Sequence, residues 1–321
     1  MVRMLGKSQI HSKLSKSRSV PEQFRLLAAR SRRESAQTVD PTAMNSLLGF
    51  RAFREVGLPA PNSKPVVVRF NDRDPGLYVM IENVDGSFFR RRDLGIQTLY
   101  KARNNAGSLG LNTLTDPGYG YGERYGDLGW EDLKGLIQIA NSRPLSMEKM
   151  RDFVDIDQMI VYLSVHQIIG HIDGIVNNHY LAKLDKYLYG DRTDTGTFWM
   201  IPWDLDRLTF QQTSLEKETF AGNKLMSVLT DQEETQQKWS ACLTLFSGTH
   251  LSPAVFSEWI DGYVASMAEA YEKDPVYKHS KGLSAWGDLI KDRVKNSNSV
   301  LNKNISTLTY RTAAECPILA L

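Results

Sequence analysis

The chain contains only two cysteines in 321 residues, Cys242 and Cys316, and neither has a His or Cys at metal-ligand spacing. They exclude a disulfide framework and a zinc knuckle, and they leave the redox compartment open. No run of about eighteen or more apolar residues occurs, so no transmembrane helix is expected. A large excess of either charge is also lacking: the net charge is +2, which implies no general affinity for nucleic acid. The opening MVRMLGKSQIHSKLSKSRS is basic but has no apolar central block, so it does not read as a secretory signal. Residues 1–20 read as a basic, disordered tail. The motifs GxxxxGK[ST] and HExxH are missing as well.

What remains is an ordinary globular composition, 41% hydrophobic and 24% charged, enough for one large domain or two lobes sharing a cleft. The positive charge is uneven. Arg25, Arg30, Arg32 and Arg33 follow the Lys-rich start, and Arg90, Arg91 and Arg92 sit together. Such runs read as solvated faces or as a surface for an acidic or phosphorylated partner.

Asp40-Pro41 offers an N-cap followed by Pro, and TAMNSLLGFRAFREV has helical spacing up to Gly57 and Pro59, which predicts a helix over 41–56. KPVVVRF, NDRDPG and LYVMIENV then read as a β-hairpin. Glu82 in the second strand either faces solvent or points into a cleft to hold a lysine. A third run, QTLYKAR, carries Lys101, and an antiparallel arrangement would bring it to Glu82. Residues 104–129 hold seven glycines and read as a surface loop or lid, because the glycines follow Lys101 where a kinase-type glycine loop would precede it. Helices are expected from Trp130, from Ser146 and from Asp155, and the periodicity stays helical beyond Asp206. Trp239, Phe246, Phe256, Trp259 and Tyr263 read as core. These patterns predict an α+β protein with a small β-rich N-terminal lobe over 21–130 and a mostly helical C-terminal lobe over 131–321.

The chemistry concentrates between Asp155 and Asp206. A helix delivers His171-Ile172-Asp173, Asn178 follows five residues later, and two strand-like runs, HYLAKL and TFWMIPW, lead to Asp204 and Asp206. Phosphoryl transfer needs a carboxylate near the attacking hydroxyl, oxygen ligands for a metal and a cation on the phosphates. Protein kinases meet the first two needs with HRDxxxxN and an Asp after a strand hairpin, in this same order. A metal-hydrolase reading competes through His166, His171, Asp173 and His179, without a recognised phosphoesterase pattern.

LGFRAFREVGLPAP, GLYVMIENVDGSFFRRR, TLYKA, FVDIDQMIVYLSVHQIIGHIDGIVNNHYL and FWMIPWDLD together resemble the CotH kinase family, from about residue 24 to the region of Arg293. The resemblance implies an atypical, bilobal protein-kinase-like fold. It also implies ATP with Mg²⁺ or Mn²⁺, and Ser/Thr phosphorylation of a secreted, cell-surface or spore-coat protein. It assigns Asp173 to the acceptor hydroxyl, Asn178 (with Asn177 as the alternative) and Asp204 to the metal with Asp206 in support, and Lys101 to the phosphates with Glu82 as its partner. Phe198 or Trp199 would stack on adenine. The sequence departs from protein kinases at Ile172, which replaces the HRD arginine, and at Leu205, so no DFG follows. A non-catalytic surface-binding or adhesion protein on the same fold is the alternative, favoured by the basic clusters and the Gly/Tyr-rich segment.

Overall fold

The computed structural model describes residues 40–68, 76–104, 106–126, 129–171, 173–184, 196–211, 222–277, 281–307 and 314–317, with the backbone of two strands at 2–4 and 24–27. Those strands are β1, Val2–Met4, and β2, Phe24–Leu27. The rest of the expected tail and Arg30, Arg32 and Arg33 lie outside the described residues; Arg25 falls within β2.

Helix α1, Asn45–Glu55, begins four residues later than expected. The buried Asp40 carboxylate accepts from Thr42 N at 3.0 Å and Asn45 N at 2.9 Å, so residues 41–44 form a capped turn ahead of the helix. Gly57 at φ 82° ends it, a conformation that costs glycine little. The hairpin forms as β3, Ser63–Val68, and β4, Gly76–Glu82, antiparallel with Val66 opposite Tyr78. Its turn, 69–75, lies outside the described residues. These strands make one sheet, β1-β3-β4-β2.

A short helix follows, α2, Gly86–Arg90, with Asp85 as its cap, and then β5, Ile96–Ala102. Here the sequence expectation fails. β5 does not lie beside β4 but founds a second sheet, β6-β5-β7-β8, in which β6 is Tyr121–Tyr125, β7 His179–Leu184 and β8 Thr197–Pro202. Strands on either side of residue 130 therefore share one sheet.

The glycine-rich stretch between β5 and β6 is not simply a loop or lid. It holds two short helices, α3, Leu111–Thr115, and α4, Pro117–Gly120. Two of its glycines allow close approach: a Cβ on Gly107 would meet the Val176 carbonyl at 2.5 Å, and one on Gly120 the Ala106 carbonyl at 2.5 Å.

The remaining elements are helical apart from the hairpin of β7 and β8. They are α5, Glu131–Asn141; α6, Met147–Arg151; α7, Ile156–Ile169; and α8, Asp173–Val176. After β8 come α9, Lys224–Thr230; α10, Glu233–Gly248; α11, Pro253–Lys273; and α12, Leu283–Thr307. Ser146 and Asp155 cap α6 and α7 as the sequence suggests.

Every residue of α7 except Asp157 is buried, so it is the core of the molecule. At about 2 kcal/mol per fully buried Leu or Ile, it outweighs any single surface helix. It docks on the edge of β8 through polar bonds too. Buried Gln158 donates to Met200 O at 2.8 Å and accepts from Met200 N at 3.0 Å, closing a strand edge that would otherwise be exposed. The core runs without a break from α1 to α12 and includes Trp239, Phe246, Phe256 and Trp259, with Tyr263 packed against it. The two cysteines, too few for a framework, are bonded to each other: Cys242 on α10 and Cys316 in the segment 314–317, across 74 residues of chain.

Candidate active site

The helix α7 ends at Gly170, whose φ of 65° turns the chain sharply. A side chain there would also strike Thr209 Oγ1 at 2.4 Å, so glycine is required twice over. Thr209 N and Oγ1 both bond to Gly170 O, and Phe210 N bonds to Ile169 O. The stretch after Asp206 is thereby tied to the end of α7.

Asp173 opens α8 and is exposed, while its carbonyl accepts from Asn177 N and Asn178 N at 3.0 Å each. The loop is held from below by buried rings. Tyr162 Oη donates to Gly174 O at 3.1 Å, and His179 Nδ1 meets the same oxygen at 3.1 Å. His166 Nδ1 donates to His171 O at 2.8 Å, and the two imidazoles stack 5.2 Å apart. Burial lowers the pKa of all three histidines, His171 and His179 to about 4 and His166 well below its ordinary value, so they are neutral struts. The metal-hydrolase reading draws its imidazole ligands from these buried rings. Among the described residues no group of three His, Cys, Asp or Glu is arranged around a metal.

Asp204 reaches the same point from β8. Trp203 N donates to Asn178 O at 3.1 Å, and Asn178 Nδ2 donates to Asp204 O at 3.3 Å. Asp204 has φ 55°, a left-handed conformation that Asp tolerates better than most residues. Burial raises its carboxyl pKa; Lys101 and Arg207 act in the opposite direction, and Asp173 adds to the rise. Those four charges therefore share one electrostatic neighbourhood. Asp206 is pushed up to about 6 by burial and by Asp204, and its carbonyl is held by Asn45 Nδ2 at 2.8 Å.

Lys101 lies with its Nζ 4.9 Å from the centre of the Trp203 ring and 5.7 Å from that of Tyr180. Neither ring was singled out from sequence, although Trp203 directly precedes Asp204 and an aromatic beside a cation is a readable signal. The expected pairing of Lys101 with Glu82 does not occur. Glu82, 2% exposed, is held by Arg91 at 2.5 Å and Arg92 at 2.7 Å, and Asn62 N donates to it at 2.9 Å. The cause is topological: Glu82 ends β4 in the first sheet, α2 returns the arginines directly to it, and Lys101 belongs to the second sheet.

Phe198 and Trp199 point to opposite faces of β8, as neighbours in a strand must. Phe198 is fully buried on the face where Thr98 and Tyr100 bond to Asp132 of α5 at 2.6 and 2.5 Å. Trp199 lies in register with Ala182 and Leu99, on the face that carries Lys101 and Tyr180. Of the two, only Trp199 shares the face of Lys101.

A family model described as CotH kinase protein matches residues 28–307. Inner spore coat protein H of Bacillus subtilis (strain 168) is 24% identical over 318 residues, covering 90% of this chain and 81% of that protein. The Shewanella oneidensis MR-1 toxin–antitoxin complex of HipA, HipB and operator DNA contains a chain with a TM-score of 0.37 and 9% identity. That match spans 89% of this chain and 61% of the other. With the family's match running through nearly all of the described helices and both sheets, the chain belongs to the CotH kinase protein family.

Proposed function

We propose that this protein is an atypical protein kinase that transfers the γ-phosphate of ATP to Ser or Thr of a secreted or coat-type protein. The observation that carries the reading is that Lys101 and Asp173 both act electrostatically on Asp204, whose main chain Asn178 holds. Asp173, exposed at the start of α8, orients the acceptor hydroxyl and takes its proton. Lys101, steadied over Trp203, meets the phosphates. Trp199, on the same sheet face, stacks on adenine. Glu82 acts at a distance, by fixing the arginines beside β4.

The residues present fit a divalent cation. Asn178, Asp204 and Asp206 supply hard oxygen donors, and the two carboxyls are both raised above their ordinary pKa, one partly by the other's charge. Mg²⁺ is commonly held by one or two carboxylates together with substrate phosphates, so a closed cage of three is not required. When bound, Mg²⁺ or Mn²⁺ supplies neutralisation of the charge on the phosphate oxygens.

Similarity to an inner spore coat protein supports a coat or surface setting and a coat-type acceptor. Among the described residues no helix is long and apolar enough to cross a membrane. The deciding experiment incubates the protein with labelled ATP, Mg²⁺ or Mn²⁺ and candidate coat proteins. Asp204→Ala should abolish label transfer, and labelling that survives it unseats Asp204 as the metal ligand. No transfer and no ATP-dependent stabilisation of the wild type would leave the non-catalytic binding role.

A further inference from the structure

Directly after Asp206 the chain lines a cavity of about 180 Å³, closed by the turn before α1 (Asp40 to Asn45), by residues 207–210 and by α12. Three groups in its wall have unused hydrogen-bond donors. Arg207 and Arg293 are exposed and form no hydrogen bond or ion pair among the described residues. The Trp286 indole Nε1–H is buried with no partner among the described residues, so it asks for an acceptor. Lys281 adds a positive charge 5.5 Å from the Trp286 ring.

Asp40 also lines the cavity, and its carboxylate is engaged by the chain's own donors. Its oxygens accept from Thr42 N and Oγ1 and from Asn45 N, and burial raises its carboxyl pKa. The remaining wall is apolar or already bonded, with Leu208, Phe210, Leu289 and Ile290 setting its shape. The space holds a phosphoryl or carboxylate group with accompanying water. Two guanidinium forks and one N–H are the donor set such a planar or tetrahedral anion takes. Asn45 joins the cavity to the catalytic stretch, because it lines one and bonds Asp206 O in the other.

We propose that this cavity is a subsite for an anionic side chain of the acceptor polypeptide, a carboxylate or an already phosphorylated serine, held by Arg207, Arg293 and Trp286. The proposal rests on the kinase reading for its acceptor. Ser or Thr next to an acidic or phosphorylated residue would be the preferred target, so that one phosphorylation promotes the next.

Three labelled peptides identical except for one position, phosphoserine, glutamate or alanine, test it by fluorescence anisotropy on the full chain without ATP or metal. The phosphoserine and glutamate peptides should bind at least about tenfold tighter than the alanine peptide. Arg293→Gln should erase that preference with the melting temperature unchanged. The Trp286 indole N–H resonance, assigned with Trp286→Phe, should shift on adding the phosphoserine peptide. Equal binding of the three peptides overturns the proposal, as does a preference that survives both Arg293→Gln and Arg207→Gln. A shift produced by inorganic phosphate without any peptide preference overturns it too, in favour of a free-anion site. Preference without phosphoryl transfer to any acceptor removes the kinase reading and keeps the anion subsite. Transfer without preference does the reverse.

Discussion

Asn178 donates its side-chain amide to the main-chain oxygen of Asp204 at 3.3 Å, and Trp203 N returns a bond to Asn178 O at 3.1 Å. This pair of bonds fixes the loop after α8 to the end of β8. Among the described residues no side chain hydrogen-bonds the Asp204 carboxylate, so backbone geometry, including its own left-handed φ, sets its direction.

Asn178→Ala removes one of those bonds and one oxygen donor. Global stability should fall by only about 1 kcal/mol, the usual net worth of a hydrogen bond. Stabilisation by ATP with Mn²⁺, about 2.7 kcal/mol for the wild type at a hundred times the dissociation constant, should be largely lost. Thermal shift with and without nucleotide separates the two effects.

Asp206, raised to about 6 by burial and by Asp204, gives a signed pH dependence. Between the ordinary aspartate value and about 6 the folded state binds more protons than the unfolded one, so stability from this group falls as pH rises through that window. Asp206→Asn should flatten the slope and raise the melting temperature at neutral pH. Added Mg²⁺ with ATP should do the same for the wild type. Melting curves across the window, with Asp206→Asn as reference, check the sign.

Glu82 is pushed up by burial, and its bonds from Arg92, Asn62 and Arg91 outweigh that and hold it below the ordinary glutamate value. Its contribution is present above the unfolded value and lost as pH falls through the lower folded one. Glu82→Gln leaves two arginines without their shared charge and should cost about 3 kcal/mol in urea denaturation. A cost near zero would mean that the arginines find solvent without penalty.

A Cβ on Gly174 would lie 2.0 Å from His166 Cε1 and 2.7 Å from His171 Nδ1. Gly174→Ala should therefore cost about 3 kcal/mol through overpacking and displace Asp173 with the loop. Gly262→Ala, in the interior of α11 with nothing within 4 Å, should instead stabilise by about 1 kcal/mol. Urea midpoints of the two variants should move in opposite directions.

Removing the Cys242–Cys316 bond frees a long loop, closed across a separation of 74 residues. Chain entropy assigns such a crosslink about 4 kcal/mol. Cys316→Ser should lower stability by up to that amount, and reductant should destabilise the wild type but leave the variant unchanged.

Local structure was legible in the sequence because it depends on neighbours in the chain. Asp155 capping α7, Ser146 capping α6 and the hairpin of β3 and β4 all follow from residues within a few positions of one another. So does the order of Asp173, Asn178 and Asp204, since a helix, a short loop and one hairpin carry them. The glycines of residues 104–129 were visible too, but their use was not: each close approach has its other wall elsewhere in the chain or in a turn whose geometry is tertiary.

Partnership was decided only by the fold. Which sheet β5 joins determines whether Lys101 meets Glu82 or Trp203, and strand pairing at that range carries no local signature. Phe198 and Trp199 are adjacent in sequence and equal as aromatics; only the sheet decides that Phe198 lies with Thr98 and Tyr100 on the α5 side while Trp199 lies on the face that carries Lys101. The two cysteines are bonded because α10 and the segment 314–317 arrive at the same place. Short-range propensity and spacing fixed the elements and the order of the acidic residues, while the packing of elements distant in the chain chose which charges and rings meet.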